Sequence, residues 1–438
     1  MGDHILLERG GVWNESLPRL NKSGRSLQYP LVIGAFGDGP RPIIIDNFPI
    51  RTANSGNPLN HIAIVGLHLR APDDWDGQGG DAVGVWVQRT GENLLIEDCL
   101  IEGFANNIAV QGMAIGGRKD LRLRRTILAN PRRFDSGCTN IYIESTDGIT
   151  IDQSAFINVM ANELNGSKVS HNVYIHESCG IDDVTVTDSI FYNARTNLTM
   201  RTGGRAEGNL LIRGGQGIAV AVSRTDEQNA PAIVRGNVIT HSRNHWDGQQ
   251  LGIGIDLGRS SASLIDDNII FHGTDGGYHN GIIIQSSAND TLVSNNIIYG
   301  WGAKNEADWN PAFRIGGYTG HLKVVNNTFI HTQSQWITMA SVSLSNVIFQ
   351  GNRYHTPRGM QAILDADAGW QIPVWRAHRE PDAIWVYIPP ATWPTSLNTI
   401  LGENVETWLN RVHNRSPGTW PADMTAPHAI EQVRTAFN

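Results

Sequence analysis

The chain has 438 residues, 47 of them glycine, a charged fraction of 17% and a formal net charge of −8. A turn-rich, weakly charged composition excludes a disordered chain. The acidic balance gives no global attraction to nucleic acid, and no apolar run approaches the ~18 residues of a membrane span, so neither partner is expected. Three cysteines, Cys99, Cys138 and Cys179, are an odd number without metal-ligand spacing, which predicts buried thiols rather than a disulfide framework.

In chain order, Met1-Gly2-Asp3 leads directly into strand-like Ile5-Leu6-Leu7. A secreted or periplasmic protein whose leader is absent from this chain is therefore expected. Residues 1–80 carry loose strand patterns at Leu31–Ala35, Ile43–Ile45 and Ile62–Val65. A sharper signature then recurs: a small or polar residue, an apolar, a variable and an apolar one. It reads Gly84-Val-Trp-Val87, Asn107-Ile-Ala-Val110, Asn140-Ile-Tyr-Ile143, Asn172-Val-Tyr-Ile175, Asn197-Leu-Thr-Met200 and Gly217-Ile-Ala-Val220. It continues at Gly252, Gly281, Ala312 and Trp336. Alternation of this kind is a strand with one buried and one displayed face, and its return every roughly 20–35 residues marks a solenoid.

Between the copies lies a second unit of strand, polar corner and strand, as in Leu94–Ile101, Val184–Phe191, Leu264–Ile270 and Leu322–Phe329. Its corner is usually Asn or Asp, which tolerate the left-handed conformation. A coil is then three short strands, each paired in parallel with its copy in the next coil. The predicted fold is all-β: a right-handed parallel β-helix of about ten three-stranded coils over residues 1–355. After residue 356 the Asn corners stop. Residues 356–438 are expected to form a cap packed on the solenoid, with short helices near Val405–Val412 and His428–Phe437, because an open β-helix end must be covered against edge pairing.

In this register the first and third signature residues, and the residue after the fourth, face outward. The last of these positions runs Gln88, Gln111, Glu144, His176, Arg201, Ala221, Asp256 and Gln285. The third runs Trp86, Ala109, Tyr142, Tyr174, Thr199, Ala219 and Gly254. Glu144, His176 and Arg201 thus fall on consecutive coils spaced ~4.8 Å apart, beside Tyr142 and Tyr174, with small residues following. A surface ion-pair ladder would show the same charges, but the small neighbours leave room for a ligand. Connections before these strands add Arg132, Arg133, Lys168 and His171, and longer loops carry Trp246, Trp301 and Trp309, which could stack on sugar rings.

An elongated, locally basic groove suits an anionic polymer. Glycoside hydrolysis usually needs two carboxyl groups ~5 Å or ~6.5–9.5 Å apart. The displayed pair Glu144 and Asp256 is about 19 Å apart by strand spacing, so a hydrolase would need loop carboxylates such as Asp135, Glu163, Glu177 or Asp247. β-Elimination on a uronic-acid polymer instead needs a cation on the substrate carboxylate, a base for the C5 proton and an acid for the leaving oxygen. The row supplies those types. The catalytic assignment is Tyr174, His176 and Arg201. The substrate-binding assignment is Tyr142, Glu144, Lys168, His171, Asn172, Arg195, Arg132, Trp246 and Asp256. No cofactor is assigned; Ca²⁺ is an alternative that Asp182-Asp183 or Asp266-Asp267 would serve. The rival readings are a glycoside hydrolase using loop carboxylates and a non-catalytic polysaccharide-binding or tailspike-type β-helix.

Gly2–Trp13 followed by Leu31–Pro40 resembles the first coils of secreted β-helix proteins of the pectate-lyase-like superfamily. Ser170-His-Asn-Val-Tyr-Ile-His176 followed by Ala194–Arg201 resembles the central strands of alginate-lyase-like members. The resemblance, over residues 1–355, implies a right-handed β-helix and a basic catalytic residue, commonly Lys, where this chain carries Arg201.

Overall fold

The computed structural model describes the chain except residues 1, 54, 78–80, 112–116, 134–136, 162–169, 181–182, 222–229, 243–250, 272–279, 286–288, 302–310, 318–319, 331–337, 341–342, 356–360, 365–368, 386–392, 395 and 438. The described residues form two compact units, Met1–Arg195 with Glu406–Ala426, and Thr196–Val405 with Pro427–Asn438.

In the first unit three walls of parallel strands are stacked coil upon coil. The first wall holds His4–Glu8, Leu31–Phe36, Ile62–Val65, Gly91–Glu97, Arg118–Arg124, Thr146–Asp152 and Val184–Thr187. The second holds Val12–Trp13, Ile43–Ile45, His68–Arg70, Leu100–Glu102, Ile127–Ala129 and Ala155–Ile157. The third holds Ile50–Arg51, Val83–Val87, Asn106–Gln111, Cys138–Glu144 and Ser170–Ile175. Period-2 alternation sends one apolar set inward on every strand, and register puts like on like: Ile108 on Ile141, Ile141 on Val173, Val110 on Ile143. These side chains are fully buried. The three cysteines are buried free thiols, and burial pushes the Cys138 and Cys179 thiols up to about 12.

The second unit repeats the plan. Its first wall runs Gly204–Glu207, Ala232–Arg235, Leu264–Asp266, Thr291–Ser294, Leu322–Val325 and Val347–Gln350. Its third wall runs from the end of Leu210–Val220 through Ile253–Leu257, Asn280–Ile284, Phe313–Ile315, Thr338–Ala340 and Gln361–Leu364. There the parallel order ends: Gly369–Gln371 turns back antiparallel and enters the helix Ile372–His378.

Corners decide how the coils lock. Between first and second walls the chain turns through one left-handed residue, such as Asp98, Arg125, Gln153, Asp188, Asp267, Asn295 or Asn326. The residue after it points inward. The sequence pattern merged these two positions into one Asn/Asp corner; the left-handed residue varies, and the inward one carries the hydrogen bonds.

The corner before the third wall corrects the expected display. Asn107, Asn140, Asn172 and Asn197, the first signature residues, are fully buried. Asn107 Nδ2 donates to Asn140 Oδ1 and Asn140 Nδ2 to Asn172 Oδ1, both at 2.7 Å. Asn107 also donates to the Ala129 carbonyl and Asn172 to the Tyr192 carbonyl, both on strands that follow them in the chain. A carboxamide carries both donors and acceptors, so a column of them satisfies itself inside a dry corner. In the second unit, after Asn197, the same position is glycine at Gly217, Gly254 and Gly281 for a steric reason; register thus makes Gly254 a first signature residue and not the outward third one expected, and sets Asp256 opposite Ala219. A Cβ on Gly254 would lie 2.4 Å from the Gly281 carbonyl oxygen.

The C-terminal stretch divides between the units. Val405–His413 and the loop after it pack on the flank of the first unit, where Gly418 N–H donates to Asp98 Oδ2 at 2.7 Å. Ala426–Phe437 packs on the second, with Phe437 against Phe271 and Tyr299, and Arg434 paired with Asp267 at 2.8 Å.

Candidate functional site

The third wall of the first unit carries an outward row built by register alone. Arg51 lies opposite Trp86, Trp86 opposite Ala109, Ala109 opposite Tyr142, and Tyr142 opposite Tyr174. Two residues further on runs a second row, with Gln111 opposite Glu144. A rigid β scaffold thus presents aromatic and ionisable groups at fixed spacing.

Tyr142 and Tyr174 stack with ring centroids 5.5 Å apart and planes 11° off parallel. The Tyr142 hydroxyl donates to Glu144 Oε2 at 2.6 Å, a charge-assisted bond. Burial, then that carboxylate, raise the Tyr142 phenol well above its usual range, so it stays protonated. Tyr174 is nearly buried, and two imidazoles flank it: His171 meets it edge-on with centroids 4.8 Å apart, and His176 lies tilted at 6.3 Å. His176 Nδ1 accepts from the Ser178 backbone N–H at 3.1 Å and faces Ser178 Oγ at 2.9 Å. In the neutral ring that bond assigns the proton to Nε2. Ser178 also anchors the turn, since its Oγ accepts from Ser145 N at 3.0 Å. Ser178 was not singled out from the sequence; the signal available was a hydroxyl two residues after the displayed histidine.

Toward the earlier coils, Trp86 Nε1 donates to Gln111 Oε1 at 2.9 Å, and its indole stacks on Phe48 at 5.5 Å. Arg132 places its guanidinium over Trp75 at 5.6 Å, and Arg133 pairs with Asp81 at 2.6 Å. Arg195 is half-buried and ends the first unit.

Other assigned residues fall elsewhere. Arg201, half-buried, belongs to the second unit, as does Asp256. Asp256 is 2% exposed and clamped between two amides: Gln285 Nε2 donates to Oδ1 at 2.6 Å and Gln216 Nε2 to Oδ2 at 3.0 Å. Gln216 Oε1 in turn accepts from Thr196 Oγ1 at 3.0 Å. Burial pushes the Asp256 carboxyl up to about 7 against the pull of both amides. Gln216 escaped the sequence reading because it precedes the signature.

Two assignments are corrected. Asn172 belongs to the buried amide column, so its side chain is part of the corner and not of the displayed face. Trp301, read as a sugar platform, is fully buried in the second unit. Lys168, Trp246 and Trp309 lie outside the described residues, as do Asp135, Glu163 and Asp247. Asp266, weighed for Ca²⁺, accepts from Ser294 and Asn295, and Asp267 pairs with Arg434. Among the described residues no cluster of three or more His, Cys, Asp or Glu is placed to hold a metal ion.

Comparison with known proteins bears on the architecture. Residues 171–369 match the family described as right-handed beta helix region. No curated protein matches the chain. Among solved structures, a mutant tailspike protein of E. coli bacteriophage HK620 in complex with a hexasaccharide aligns with a TM-score of 0.53 and 11% identity, covering 88% of this chain and 74% of that one. The surface adhesin PfbA of Streptococcus pneumoniae aligns with a TM-score of 0.44 and 11% identity, over 83% of each chain. The A-module of the Azotobacter vinelandii mannuronan C-5 epimerase AlgE4 aligns with a TM-score of 0.33 and 12% identity, over 89% of this chain and 90% of that one. The stacked parallel walls and the matched region together make this chain a right-handed parallel β-helix protein.

Proposed function

We propose that this protein is a carbohydrate-active enzyme that cleaves an acidic, uronic-acid-containing polysaccharide by β-elimination on the third wall. The observation that carries the reading is Tyr174, held on a rigid strand between His171 and His176 and stacked on Tyr142. Tyr142 gives its hydroxyl to Glu144, which leaves Tyr174 as the phenol assigned to proton transfer. His176, with Nδ1 occupied by the Ser178 amide, presents Nε2–H as a donor. The resemblance to a tailspike bound to a hexasaccharide supports a glycan as the ligand.

In this scheme a cation, assigned to Arg195, draws charge from the uronate carboxylate and so acidifies the C5 proton. Tyr174, acting as its phenolate, takes that proton, the C4–O bond breaks, and the same phenol hands a proton to the departing oxygen, which also accepts a hydrogen bond from His176 Nε2–H; the phenolate is thereby regenerated. The products are an unsaturated uronyl end and a new hydroxyl end. Incubation with a panel of acidic and neutral glycans tests this. The expected result is the ultraviolet absorbance of the unsaturated end, falling by roughly 10²–10⁴-fold in Tyr174→Phe. Undiminished activity in both Tyr174→Phe and Arg195→Ala would overturn the assignment.

A second reading rests on Asp256. A carboxyl at about 7 is tuned as a general acid is, which suits glycoside hydrolysis. New reducing ends without the ultraviolet signal, abolished in Asp256→Asn, would select it. Binding without either product would select a polysaccharide-binding protein.

A further inference from the structure

A cavity of about 660 Å³ opens on the first unit between the loop Gly37–Pro40 and the loop after His413. Five basic side chains line it: Arg9, Arg41, His68, His413 and Arg415. Among the described lining residues the only acidic side chain is Asp38. Charge bookkeeping shows which cations are already answered. Arg41 donates Nη2–H to Asp98 Oδ1 at 3.1 Å, and its other hydrogen bonds go to the Asp98 and Arg415 carbonyls. His68 and His413 share Glu102, each donating Nε2–H, at 2.8 and 3.0 Å. His413 Nδ1 also faces Asn414 Oδ1 at 3.4 Å, and the hydrogen bond to Glu102 raises the His413 imidazole above its ordinary value against the effect of burial. The two imidazoles in turn hold the Glu102 carboxyl down at about 2.

Arg415 and Arg9 are not answered. Arg415 is 4% exposed, yet no carboxylate pairs with it among the described residues. Its Nη1 donates to the Met424 carbonyl at 2.9 Å and its guanidinium lies over Trp420, 3.2 Å from the ring centroid. Its Nε and Nη2 are buried without a hydrogen-bond partner. Burial, then the neighbouring Arg41, depress this guanidinium to about 9 against the opposing pull of Asp98. Among the described residues the Arg9 guanidinium donates to the Gly39 carbonyl, at 3.4 Å, and pairs with no carboxylate. A buried cation without a partner is strongly disfavoured, and a planar guanidinium fork matches the oxygens of a carboxylate, sulfate or phosphate.

We propose that this cavity is a binding site for one oxyanion, with Arg9 and Arg415 as its ligating cations. It is separate from the third-wall site and does not depend on the lyase reading. The chemistry has two sources, a free inorganic anion or the acidic group of a sugar, and the test carries an arm for each. Thermal unfolding and titration calorimetry are run on the full chain with potassium phosphate, potassium sulfate and potassium glucuronate, against potassium chloride of equal ionic strength. At least one oxyanion is expected to raise the melting temperature above the chloride control. Phosphate or sulfate alone would assign a free anion, and glucuronate a sugar acid. Arg415→Gln and Arg9→Ala are each expected to weaken binding about tenfold or more, one charge-assisted hydrogen bond being removed. Because Arg415 also braces Met424, Arg9→Ala, on a half-buried side chain at the cavity rim, keeps the test valid if Arg415→Gln does not fold. Equal shifts with chloride and all three oxyanions, or unchanged binding in Arg9→Ala, would overturn the proposal.

Discussion

The two units turn the same corner with different chemistry. In the first, the inward residue between first and second walls is a hydroxyl at Thr126, Ser154 and Ser189, after Cys99 in the coil before. Thr126 N donates to Ser154 Oγ at 3.3 Å and Ser154 N to Ser189 Oγ at 3.1 Å. Each hydroxyl then turns back to its own strand, Ser154 Oγ donating to the Asp152 carbonyl at 2.9 Å. Beyond the backbone ladder, adjacent coils are thus joined there by one side-chain hydrogen bond. In the second unit the position is asparagine from Asn209 through Asn237, Asn268, Asn296, Asn327 and Asn352. Asn296 alone donates N–H and Nδ2–H to Asn327 Oδ1 and a further Nδ2–H to the Ile265 carbonyl, all at 2.9–3.0 Å. An amide has the donors to reach both neighbouring coils; a hydroxyl has one.

That difference has a consequence at the end of the column. The last amide still needs an acceptor, and a further amide would leave its own donors unmet. Glu380, acceptor-only, closes the column. Its Oε1 accepts from Asn352 N and Nδ2 at 2.8 and 2.9 Å, and its Oε2 from Tyr354 Oη and Trp375 Nε1 at 2.7 and 2.8 Å. The carboxylate is fully buried. The short hydroxyl corners need no such plug, because each is satisfied within its own strand.

The comparison breaks first at the plug. Glu380→Ala strands four buried donors and is expected to destabilise the protein by ~3–5 kcal/mol, read as a fall in denaturant midpoint. Asn296→Ala, in mid-column, should cost about 2–4 kcal/mol, since partners on both sides lose their bonds. A smaller cost for Asn296→Ala than for Ser154→Ala would reverse the ranking of the two corners.

The third test concerns the acids. Asp256 in the second unit is buried with a folded pKa near 7, above its unfolded value, so its contribution is fully present below about pH 4 and lost as pH rises through 7. Between those limits the wild type should lose stability relative to Asp256→Asn by up to about 1.4 kcal/mol per pH unit, in parallel denaturation series. Parallel curves for the two proteins would contradict a buried, elevated acid. The smallest effect is expected at Ser154→Ala, about 1 kcal/mol, because one N–H bond between coils is lost.

Much of the coil was legible because apolar alternation is a property of adjacent residues. Ile141, Val173 and Ile175 could be placed inward from their spacing alone, and register then put Tyr142 beside Tyr174. Asn172 was misread for the same reason: alternation by two predicts outward, but a corner interrupts the alternation, and the amide turns into the interior. Trp301 was misplaced because a loop tryptophan carries no periodic sign of burial.

The sequence by itself determined the repeating strand, the parallel stacking and the side chains sharing the Tyr142–Tyr174 row, since these follow from period and chain order. Only the tertiary structure decided that Ser178 orients His176, that Gln216 and Gln285 clamp Asp256, and that Glu380 closes the asparagine column. It alone brought His413 and Arg415 to His68 and Arg41. Glu380 meets Asn352 from 28 residues away, and His413 meets Glu102 from 311. Contacts across such separations depend on how coils and tail fold back on one another, which no local pattern encodes.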